Sequence, residues 1–518
     1  MTTAADAAAP VRAGRREWIA LAVIALPAVL YSMDLTVLYL AVPALTADLE
    51  PSGSQLLWIV DVYGFLVAGS LITMGTLGDR IGRRRLLLIG SAAFGIASVL
   101  AAFATSATML IVARALLGIA GATLAPSTLS LIRNIFHDPQ QRTVAIGIWA
   151  TSYSAGAAIG PLLGGVMLEF FWWGSVFLLG VPVMALLLVV GPKLLPESRD
   201  PGAGRLDPIS AVLSLIAVLA AIYGLKRGAE HGFGVVPVLS ILGGLALGAV
   251  FARRQTRLAD PLIDLRLFRL PAFSASLATN TLGFFAAFGG SLFISQYLQL
   301  VLGLSPLEAG LWSLPEAGGF IAGSMLAPVF VRRFHPGTVV AGGLALGALG
   351  FAILTRVDGT SGLTAVVAGS AVLALGLGPV FTLAADLVVG SAPAERAGAA
   401  SAINETSSEL GGALGIAVLG SVGTALYRSE VGDAIPATAP PEAAEAARDT
   451  LGGAVGAAGQ LPATLLDTAT QAFAHGLQLA ALISAALLLV VAVIAARFLR
   501  ESSTGETVVT PAVAPAES

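Results

Sequence analysis

The hydrophobic pattern of the chain consists of fourteen apolar stretches separated by polar segments. Most stretches are about 17 to 25 residues long, which is enough for a helix to cross the hydrocarbon core of a bilayer. The pattern therefore predicts fourteen transmembrane helices, here called spans, at 18–41, 56–75, 86–103, 108–132, 143–167, 176–191, 208–225, 234–252, 272–302, 309–331, 338–355, 363–390, 399–427 and 472–496.

A weak internal repeat groups these spans. The segment GTLGDRIGRRR at 75–85 joins spans two and three, and GSMLAPVFVRR at 323–333 occupies the corresponding place between spans ten and eleven. This repeat aligns spans one to six with spans nine to fourteen and leaves spans seven and eight as an inserted pair. The tenth span also carries Gly319 and Gly323, which we expect to pack against glycine residues of the fifth span.

The predicted domains follow from this grouping. They are a cytoplasmic tail at 1–17, a six-helix bundle at 18–191, the inserted pair at 208–252, a second six-helix bundle at 272–496 and a tail at 497–518. A long outer loop at 428–471 interrupts the second bundle, and its Ala- and Glu-rich sequence suits either short amphipathic helices or a solvated linker.

Composition supports an all-α integral membrane protein. Hydrophobic residues make up 56% of the 518 residues, charged residues 11%, and the mean hydropathy is +0.87. A soluble domain carries roughly a quarter charged residues. The chain has no cysteine, which excludes disulfides and thiolate metal sites. We expect no metal site, and no cleaved signal peptide before the first span.

The positions of the basic residues predict the orientation. Most of the 28 Lys and Arg residues fall on the side that holds both termini, and this side is predicted to be cytoplasmic. Lys226 is among the few basic residues assigned to the outer loops. Arg114 is the one basic residue assigned to the interior of a span, where an unpaired guanidinium is costly. It should therefore pair with a carboxyl group or with carbonyls of span one, either as a structural lock or as a proton relay.

Acidic residues inside the spans are the main candidates for chemistry. A charge near the bilayer centre costs at least about 2.5–3.5 kcal/mol, so such residues should face a cavity or a partner. The candidates are Asp34, Asp61, Glu316, Glu405 and Glu409. A carboxyl group in a water-poor cavity tends to hold a proton, and an arriving cation favours release of that proton. One carboxyl group can therefore exchange protons for lipophilic cations.

Aromatic residues accompany these carboxyl groups. Tyr31 precedes Asp34 by three residues, and Trp58 precedes Asp61 by three, so each shares a helical face with its acid. Aromatic faces attract desolvated cations by about 2 kcal/mol. Tyr31 and Trp58 are thus candidate substrate contacts, or alternatively residues of the interfacial belt. The candidate substrate-binding aromatic residues are Tyr31, Trp58, Trp149 and Tyr153.

The fifth span carries a stripe of small residues. Gly156, Gly160 and Gly164 recur every fourth residue and share one face of a helix, while Pro161 removes a backbone donor and Gly165 follows. Such a stripe lets another helix approach closely, and neighbouring helices satisfy the freed backbone groups. The pattern indicates either a packing seam or a functional kink.

These strings resemble a known family. Gly75-x-x-x-Asp79-Arg80-x-Gly82-Arg83-Arg84 resembles the loop signature of the major facilitator superfamily, and the glycine-proline string of span five resembles the fifth-helix signature of its drug:proton antiporters. The strings LEPSG (49–53), LWIVDVY (57–63) and PLIDLRLF (261–268) resemble the QacA-like multidrug exporters of the fourteen-helix group. The resemblance covers nearly all of 16–500 except the outer loop.

The resemblance implies the major facilitator fold, with two six-helix bundles plus two inserted helices. It implies that Asp34 and Asp61 are protonation and cation sites and that Glu405 and Glu409 act with them. It also implies a conformational gate at the loop that holds Gly75, Asp79, Arg80, Gly82 and Arg83. Some of these exporters place an acid at the position of Phe320, whereas this chain has Glu316 one turn earlier.

The sequence thus favours a proton-coupled exporter of amphipathic cations in the bacterial cytoplasmic membrane. The alternatives are a narrow exporter of one antibiotic or metabolite and a proton symporter of the same fold. Neither an HExxH nor a GxxxxGK[ST] motif occurs in the chain, so we expect no enzyme activity and no ATP site. We expect a monomer whose partners are lipophilic cations, protons and lipid, with no nucleic acid and with the proton gradient in place of a cofactor.

Overall fold

A computed structural model of the chain describes residues 12–199, 207–258, 261–358, 362–391, 397–436 and 438–501. Within these ranges the regular structure is helical and no β-strand occurs. Twelve of the described helices are long and apolar enough to cross a membrane, so this is a multi-pass membrane protein. Most of the two predicted tails, 1–17 and 497–518, lies outside the described residues.

Eight helices build the first bundle. They are α1 (Arg15–Leu49), α2 (Gly53–Ile81), α3 (Arg83–Ala102), α4 (Ala107–Gly121), α5 (Leu124–Ile135), α6 (Pro139–Phe170), α7 (Ser175–Leu178) and α8 (Gly180–Leu194).

The predicted fourth span, 108–132, corresponds to one candidate span, Ala107–Ile135, in which a turn at 122–123 separates α4 from α5. Pro126 has no N–H group to donate to the carbonyl of Ala122, so the helical hydrogen-bond ladder is interrupted there. The hydroxyl of Thr123 donates to the carbonyl of Ala120 at 2.7 Å and holds the break.

Two helices follow the first bundle, α9 (Pro208–His231) and α10 (Val235–Gln255). The second bundle contains α11 (Pro271–Gln296), α12 (Pro306–Trp312), α13 (Leu314–Phe330), α14 (Pro336–Leu354), α15 (Leu363–Gly390), α16 (Ala397–Ala434), α17 (Pro441–Asp449), α18 (Leu451–Gly456) and α19 (Ala463–Glu501). A π-helical turn at Tyr297–Val301 extends α11, and short 3₁₀ turns lie at Leu267–Arg269 and Ala458–Gln460.

The helices that match predicted spans five and ten are α6 and α13, and neither is among the twelve that length and composition single out. The count of fourteen spans therefore stays a prediction. In the loop 428–471, α16 continues to Ala434 and the short helices α17 and α18 follow, so this segment is largely helical rather than an irregular linker.

Each bundle has its own apolar core. One cluster of buried side chains comes mainly from α1 to α8, and a second comes mainly from α11 to α19. The inserted helix α9 lies at the seam, because Ile222 packs with Phe65 of α2 and with Ala413 and Ala417 of α16. The inserted pair thus contacts both bundles and borders the space between them.

Two names are used for the ends of the bundle. The terminal face carries Arg15 and Glu501, where the first and last helices begin and end, and the hairpin face is the opposite one, which carries α17 and α18. Close contacts join the two bundles at the hairpin face. A Cβ added to Gly165 would lie 2.8 Å from the carbonyl of Pro306, and one added to Gly452 would lie 2.8 Å from Cγ2 of Thr46.

The glycine stripe of α6 packs against α1, not against the tenth span as expected. A Cβ at Gly156 would lie 2.2 Å from the carbonyl oxygen of Val29, and one at Gly160 would lie 2.3 Å from Oγ1 of Thr36. Gly164 similarly faces Val37. Gly319 and Gly323 of α13 instead face the backbone of α15.

Candidate substrate and proton site

A cavity of about 490 Å³ lies between the two bundles. This volume is in the range of small-molecule sites, roughly 300–1,000 Å³. Its described lining is mostly apolar and aromatic, and it includes four of the five predicted acids: Asp61 of α2, Glu316 of α13, and Glu405 and Glu409 of α16. The structure therefore brings carboxyl groups from both bundles to one chamber.

Glu409 links the two bundles through Tyr31. The phenol of Tyr31 on α1 donates a hydrogen bond to Oε1 of Glu409 at 2.5 Å. The ring of Tyr31 also packs edge-on against Tyr153 of α6, with centroids 5.8 Å apart. Tyr31 was predicted to accompany Asp34 on its own helix, but its hydroxyl serves an acid of the opposite bundle.

Asp61 forms a buried ion pair that the sequence did not predict. Nζ of Lys226 on α9 lies 2.8 Å from Oδ1 and 2.7 Å from Oδ2 of Asp61, and both side chains are 0% exposed. The assignment of Lys226 to an outer loop is therefore wrong. Helix α9 runs to His231 rather than ending at residue 225, because pairing with Asp61 makes a buried lysine tolerable.

Trp58 covers this ion pair. Nζ of Lys226 lies 3.9 Å from the centre of the Trp58 ring, a cation–π distance. Trp58 is not among the described residues that line the central cavity, whereas Tyr31 and Tyr153 are. Its ring contacts the lysine of the chain itself.

Asp34 and Arg114 form a second pair, away from the cavity. Nη1 of Arg114 lies 2.6 Å from Oδ2 of Asp34. The same guanidinium donates from Nε to the carbonyl of Ile59 at 3.1 Å and lies 4.7 Å from the centre of the Tyr63 ring. Asp34 lines a small crevice beside Phe177, outside the described lining of the central cavity. This network ties α1, α2 and α4 together.

Trp149 supports the cavity wall from behind. Its indole N–H donates to Oγ1 of Thr128 on α5 at 3.0 Å, and its ring packs edge-on against Tyr153 at 4.9 Å between centroids. Tyr153 lines the cavity, but Trp149 does not belong to its described lining. Trp149 thus positions a cavity residue.

A polar cluster on the second bundle was missed from the sequence. The amide of Asn280 on α11 donates to Oδ1 of Asn404 at 3.1 Å and to Oγ of Ser408 at 2.6 Å, and all three residues line the cavity. An asparagine within an apolar span was the available signal. Asn404 and Ser408 adjoin Glu405 and Glu409 along α16. Their hydrogen bonds to Asn280 therefore hold the side of α16 that carries both glutamates toward the cavity.

Aromatic rings form much of the remaining wall. Phe284 of α11 stacks on Phe381 of α15 with centroids 4.2 Å apart, and Phe320 of α13 lies 6.2 Å from Phe381. Phe320 and Glu316 line the same cavity one helical turn apart on α13. The cavity therefore offers flat apolar surfaces close to carboxyl groups.

The predicted gate lies at the terminal face. Gly82 alone joins α2 to α3 with φ of +111°, and a Cβ there would lie 2.4 Å from Oε1 of Glu197. Only glycine suits this turn. Oδ1 of Asp79 lies 2.5 Å from Nη2 of Arg83, so the two side chains form a salt bridge. Arg80 is exposed, and Gly75 faces Pro126 of α5.

Arg84 ties the same turn to the end of α8. Its backbone N–H donates to Oε1 of Glu197 at 3.1 Å, and the N–H of Arg83 donates to the carbonyl of Ser198 at 2.9 Å. The contacts of the gate loop thus hold α2, α3 and the segment after α8 together on one bundle.

Comparison with known proteins agrees with this architecture. The family model of the Major Facilitator Superfamily matches residues 24–416. The multidrug efflux pump LfrA of Mycolicibacterium smegmatis is 47% identical over 487 residues, covering 93% of this chain and 96% of that protein. The methyl viologen resistance protein SmvA of Salmonella typhimurium is 38% identical, covering 92% and 97%. The tetracenomycin C resistance and export protein of Streptomyces glaucescens is 34% identical, covering 93% and 91%.

Solved structures share the fold at low sequence identity. A bacterial homologue of the human lysosomal transporter Spinster, in an inward-facing and unoccupied conformation, aligns with a TM-score of 0.65 at 19% identity and covers 94% of this chain and 97% of that chain. A peptide transporter POT in complex with sulfate aligns with a TM-score of 0.58 at 18% identity, covering 92% and 95%. With the family match and the close relatives, these findings establish that the chain is a transporter rather than an enzyme and belongs to the major facilitator superfamily.

Proposed function

We propose that this protein is a proton-coupled antiporter that exports lipophilic cations, such as quaternary ammonium compounds and cationic dyes, from the cytoplasm or the inner leaflet. The observation that carries the proposal is the central cavity, where Glu316, Glu405 and Glu409 lie among aromatic walls. Among the described residues none of these three glutamates has a basic partner. Such an arrangement suits an organic cation better than an anion.

The exchange follows from the burial of the carboxyl groups. A glutamate in the empty cavity holds its proton, since a lone carboxylate in a water-poor chamber is costly. A cation that binds beside it favours the carboxylate, and the proton leaves to the cytoplasm. When the cavity opens outward, the cation departs and the carboxylate takes a proton from outside. For a monovalent cation and one carboxyl group, each cycle moves a proton inward and the cation outward.

The coupling needs the two bundles to move against each other. Such a movement changes the hydrogen bond from Tyr31 to Glu409, because this bond joins α1 to α16 across the cavity. A cation beside Glu409 competes with this phenol for the carboxylate. We propose that the glycine-proline segment of α6 and the gate turn at Gly82 permit the rearrangement.

We place the protein in the bacterial cytoplasmic membrane with both termini in the cytoplasm. The excess of basic residues at the terminal face supports this orientation, since cytoplasmic loops attract Lys and Arg. We propose that the chain acts as a monomer, in contact with lipid and without a cofactor or nucleic acid. The two bundles, 18–191 and 272–496, and the inserted pair, 208–252, are the proposed domains.

The relatives support a cationic substrate and also one alternative. One is named for resistance to methyl viologen, an organic cation, and another is named a multidrug efflux pump. The relative named for tetracenomycin C favours a second candidate, an exporter dedicated to one antibiotic or metabolite. A symporter of the same fold is the weaker alternative, because the relatives named here are resistance and export proteins.

Purified protein in liposomes tests the proposal. With a pH gradient imposed across the liposome membrane, we expect ethidium to be transported in the direction opposite to the proton flux. This transport should stop when an uncoupler removes the gradient. A panel of cations widens the test to quaternary ammonium compounds. Gradient-independent leakage, or no flux with any cation of the panel, would contradict the proposal.

A further inference from the structure

Lys226 is a buried basic residue that the proposed exchange does not use. It lies on α9, one of the two inserted helices, and its ammonium contacts both carboxylate oxygens of Asp61 at 2.7 and 2.8 Å. The ring of Trp58 covers the same ammonium at 3.9 Å. A carboxylate with an aromatic face beside it is the arrangement that binds organic cations. Here the chain itself supplies the cation.

Asp61 is approached from two sides. Its partner Lys226 reaches it from α9, and the residue also lines the central cavity together with Val60 and Gly64 of the same helix. Its carboxylate is 0% exposed in the paired state, so a substrate in the cavity reaches it only when the ion pair rearranges. The substrate and the lysine cannot both bind it in the same way, because the ammonium already contacts both oxygens.

Helix α9 holds the lysine in a firm position. Leu215 fills the space over Gly69 of α2, where a Cβ would lie 2.8 Å from its Cδ1, and Ile222 packs with Phe65 and Ala417. The helix thus contacts both bundles next to the ion pair. Any rearrangement of the bundles that shifts α2 relative to α9 changes the Asp61–Lys226 contact.

We propose that Lys226 is a tethered competitor for cationic substrates at Asp61. Its ammonium neutralises Asp61 while the cavity is empty, and a substrate reaches this carboxylate only by displacing the lysine. The inserted helix pair thereby sets the selectivity of the site, because weakly bound cations fail to displace the ammonium. This inference rests on the proposed export of cations and assigns a specificity-determining role to Lys226. If the lysine were instead a permanent structural counter-ion, substrate would never contact Asp61.

Equilibrium binding of tetraphenylphosphonium to the purified full-length protein tests the competition. We expect Lys226→Gln to bind this cation more tightly than the wild type, by about tenfold or more, since close charge pairs couple by at least that factor. Lys226→Arg keeps the positive charge and is the matched control, with affinity close to that of the wild type. In the double variant Asp61→Asn/Lys226→Gln this increase in affinity for tetraphenylphosphonium should disappear. Unchanged or weaker binding by folded Lys226→Gln would overturn the inference.

A second measurement needs no substitution. The chain has two lysines, Lys193 and Lys226, and Lys193 is exposed near the end of α8. An amine-reactive reagent followed by mass spectrometry should modify Lys193 readily and Lys226 slowly. Saturating tetraphenylphosphonium should speed the modification of Lys226 and leave Lys193 unchanged. An unchanged rate at Lys226 in protein that binds the cation would contradict displacement.

The outcomes separate this inference from the proposed function. Wild-type protein that expels cations from liposomes while Lys226→Gln shows wild-type affinity overturns the role of Lys226 alone. Absence of cation binding in the wild type and in every variant overturns the proposed function, and the inference fails with it.

Discussion

At the scale of single residues, the buried Asp61–Lys226 ion pair determines how much stability is lost when either charge is removed. Removing an ion from water costs several kcal/mol even after relaxation, and a partner at close distance offsets that cost. The two members respond differently to loss of the other. Asp61 borders the cavity and can bind a proton when unpaired, whereas Lys226 lies away from the described cavity lining.

We therefore predict an unequal effect of single substitutions on stability. Asp61→Asn should lower the free energy of unfolding by about 3–5 kcal/mol, because it leaves a buried ammonium without its carboxylate. Lys226→Gln should lower the free energy of unfolding by less. The double variant Asp61→Asn/Lys226→Gln should be more stable than Asp61→Asn alone. Thermal unfolding of purified protein in detergent measures the series, with the exposed Asp386→Asn as control. If the loss of stability in the double variant equalled the sum of the two single losses, Asp61 and Lys226 would not be energetically coupled.

Four cavity acids could be predicted from the sequence because a carboxyl group inside an apolar span has few other roles. Lys226 could not. It lies at the edge of its predicted span, where the hydropathy pattern treats a charged residue as the start of a loop. Its partner is 165 residues away along the chain. Pairings across such a separation depend on helix packing, which local patterns do not specify.

At the scale of helices, the stripe on α6 determines how closely α1 and α6 pack. Cβ atoms at Gly156 and Gly160 would lie 2.2 and 2.3 Å from atoms of α1, so α6 approaches this helix too closely for any side chain there. Small residues permit such an approach in membrane helices, where packing replaces the hydrophobic effect as the driving force. The stripe was evident in the sequence, but its partner helix was predicted wrongly. A glycine stripe indicates close packing without identifying the neighbour.

Gly156→Ala should destabilise the contact between α1 and α6. The added methyl group would lie 2.2 Å from the carbonyl oxygen of Val29, a backbone atom that cannot move aside. Overpacking of this kind costs about 1–3 kcal/mol. Gly147→Ala on the same helix is the matched control, since its Cβ meets nothing within 4 Å. Melting temperatures of the two variants give the comparison, and equal values would argue against close packing at Gly156.

At the scale of the whole molecule, two bundles enclose a cavity and contact each other at the hairpin face. Helices α17 and α18 take part, since a Cβ at Gly53 of α2 would lie 3.1 Å from the carbonyl oxygen of Asp449, and Gly452 faces Thr46 of α1. The apolar stretches predicted the membrane helices, because span length follows from the thickness of the bilayer. The weak internal repeat grouped those helices into two bundles. The helical form of 428–471 was one of two open alternatives, since Ala- and Glu-rich segments also suit linkers.

The orientation of the whole molecule can be tested with single cysteines, since the chain has none of its own. Thr105→Cys lies between α3 and α4 at the hairpin face, and Arg333→Cys lies between α13 and α14 at the terminal face, both at exposed positions. We expect a membrane-impermeant maleimide to label the first variant in intact cells and the second only after lysis. Labelling in the reverse order would place the termini outside.

The central claim is that carboxyl groups in the cavity exchange protons for lipophilic cations, and proton release on binding measures this directly. Tetraphenylphosphonium added to purified protein in a weakly buffered solution should release protons in a fixed ratio to the cation bound. Glu409→Gln, which keeps an acceptor for Tyr31 but cannot ionise, should release fewer, and Asp386→Asn should match the wild type. Saturable binding to the wild type without any proton release would contradict the account.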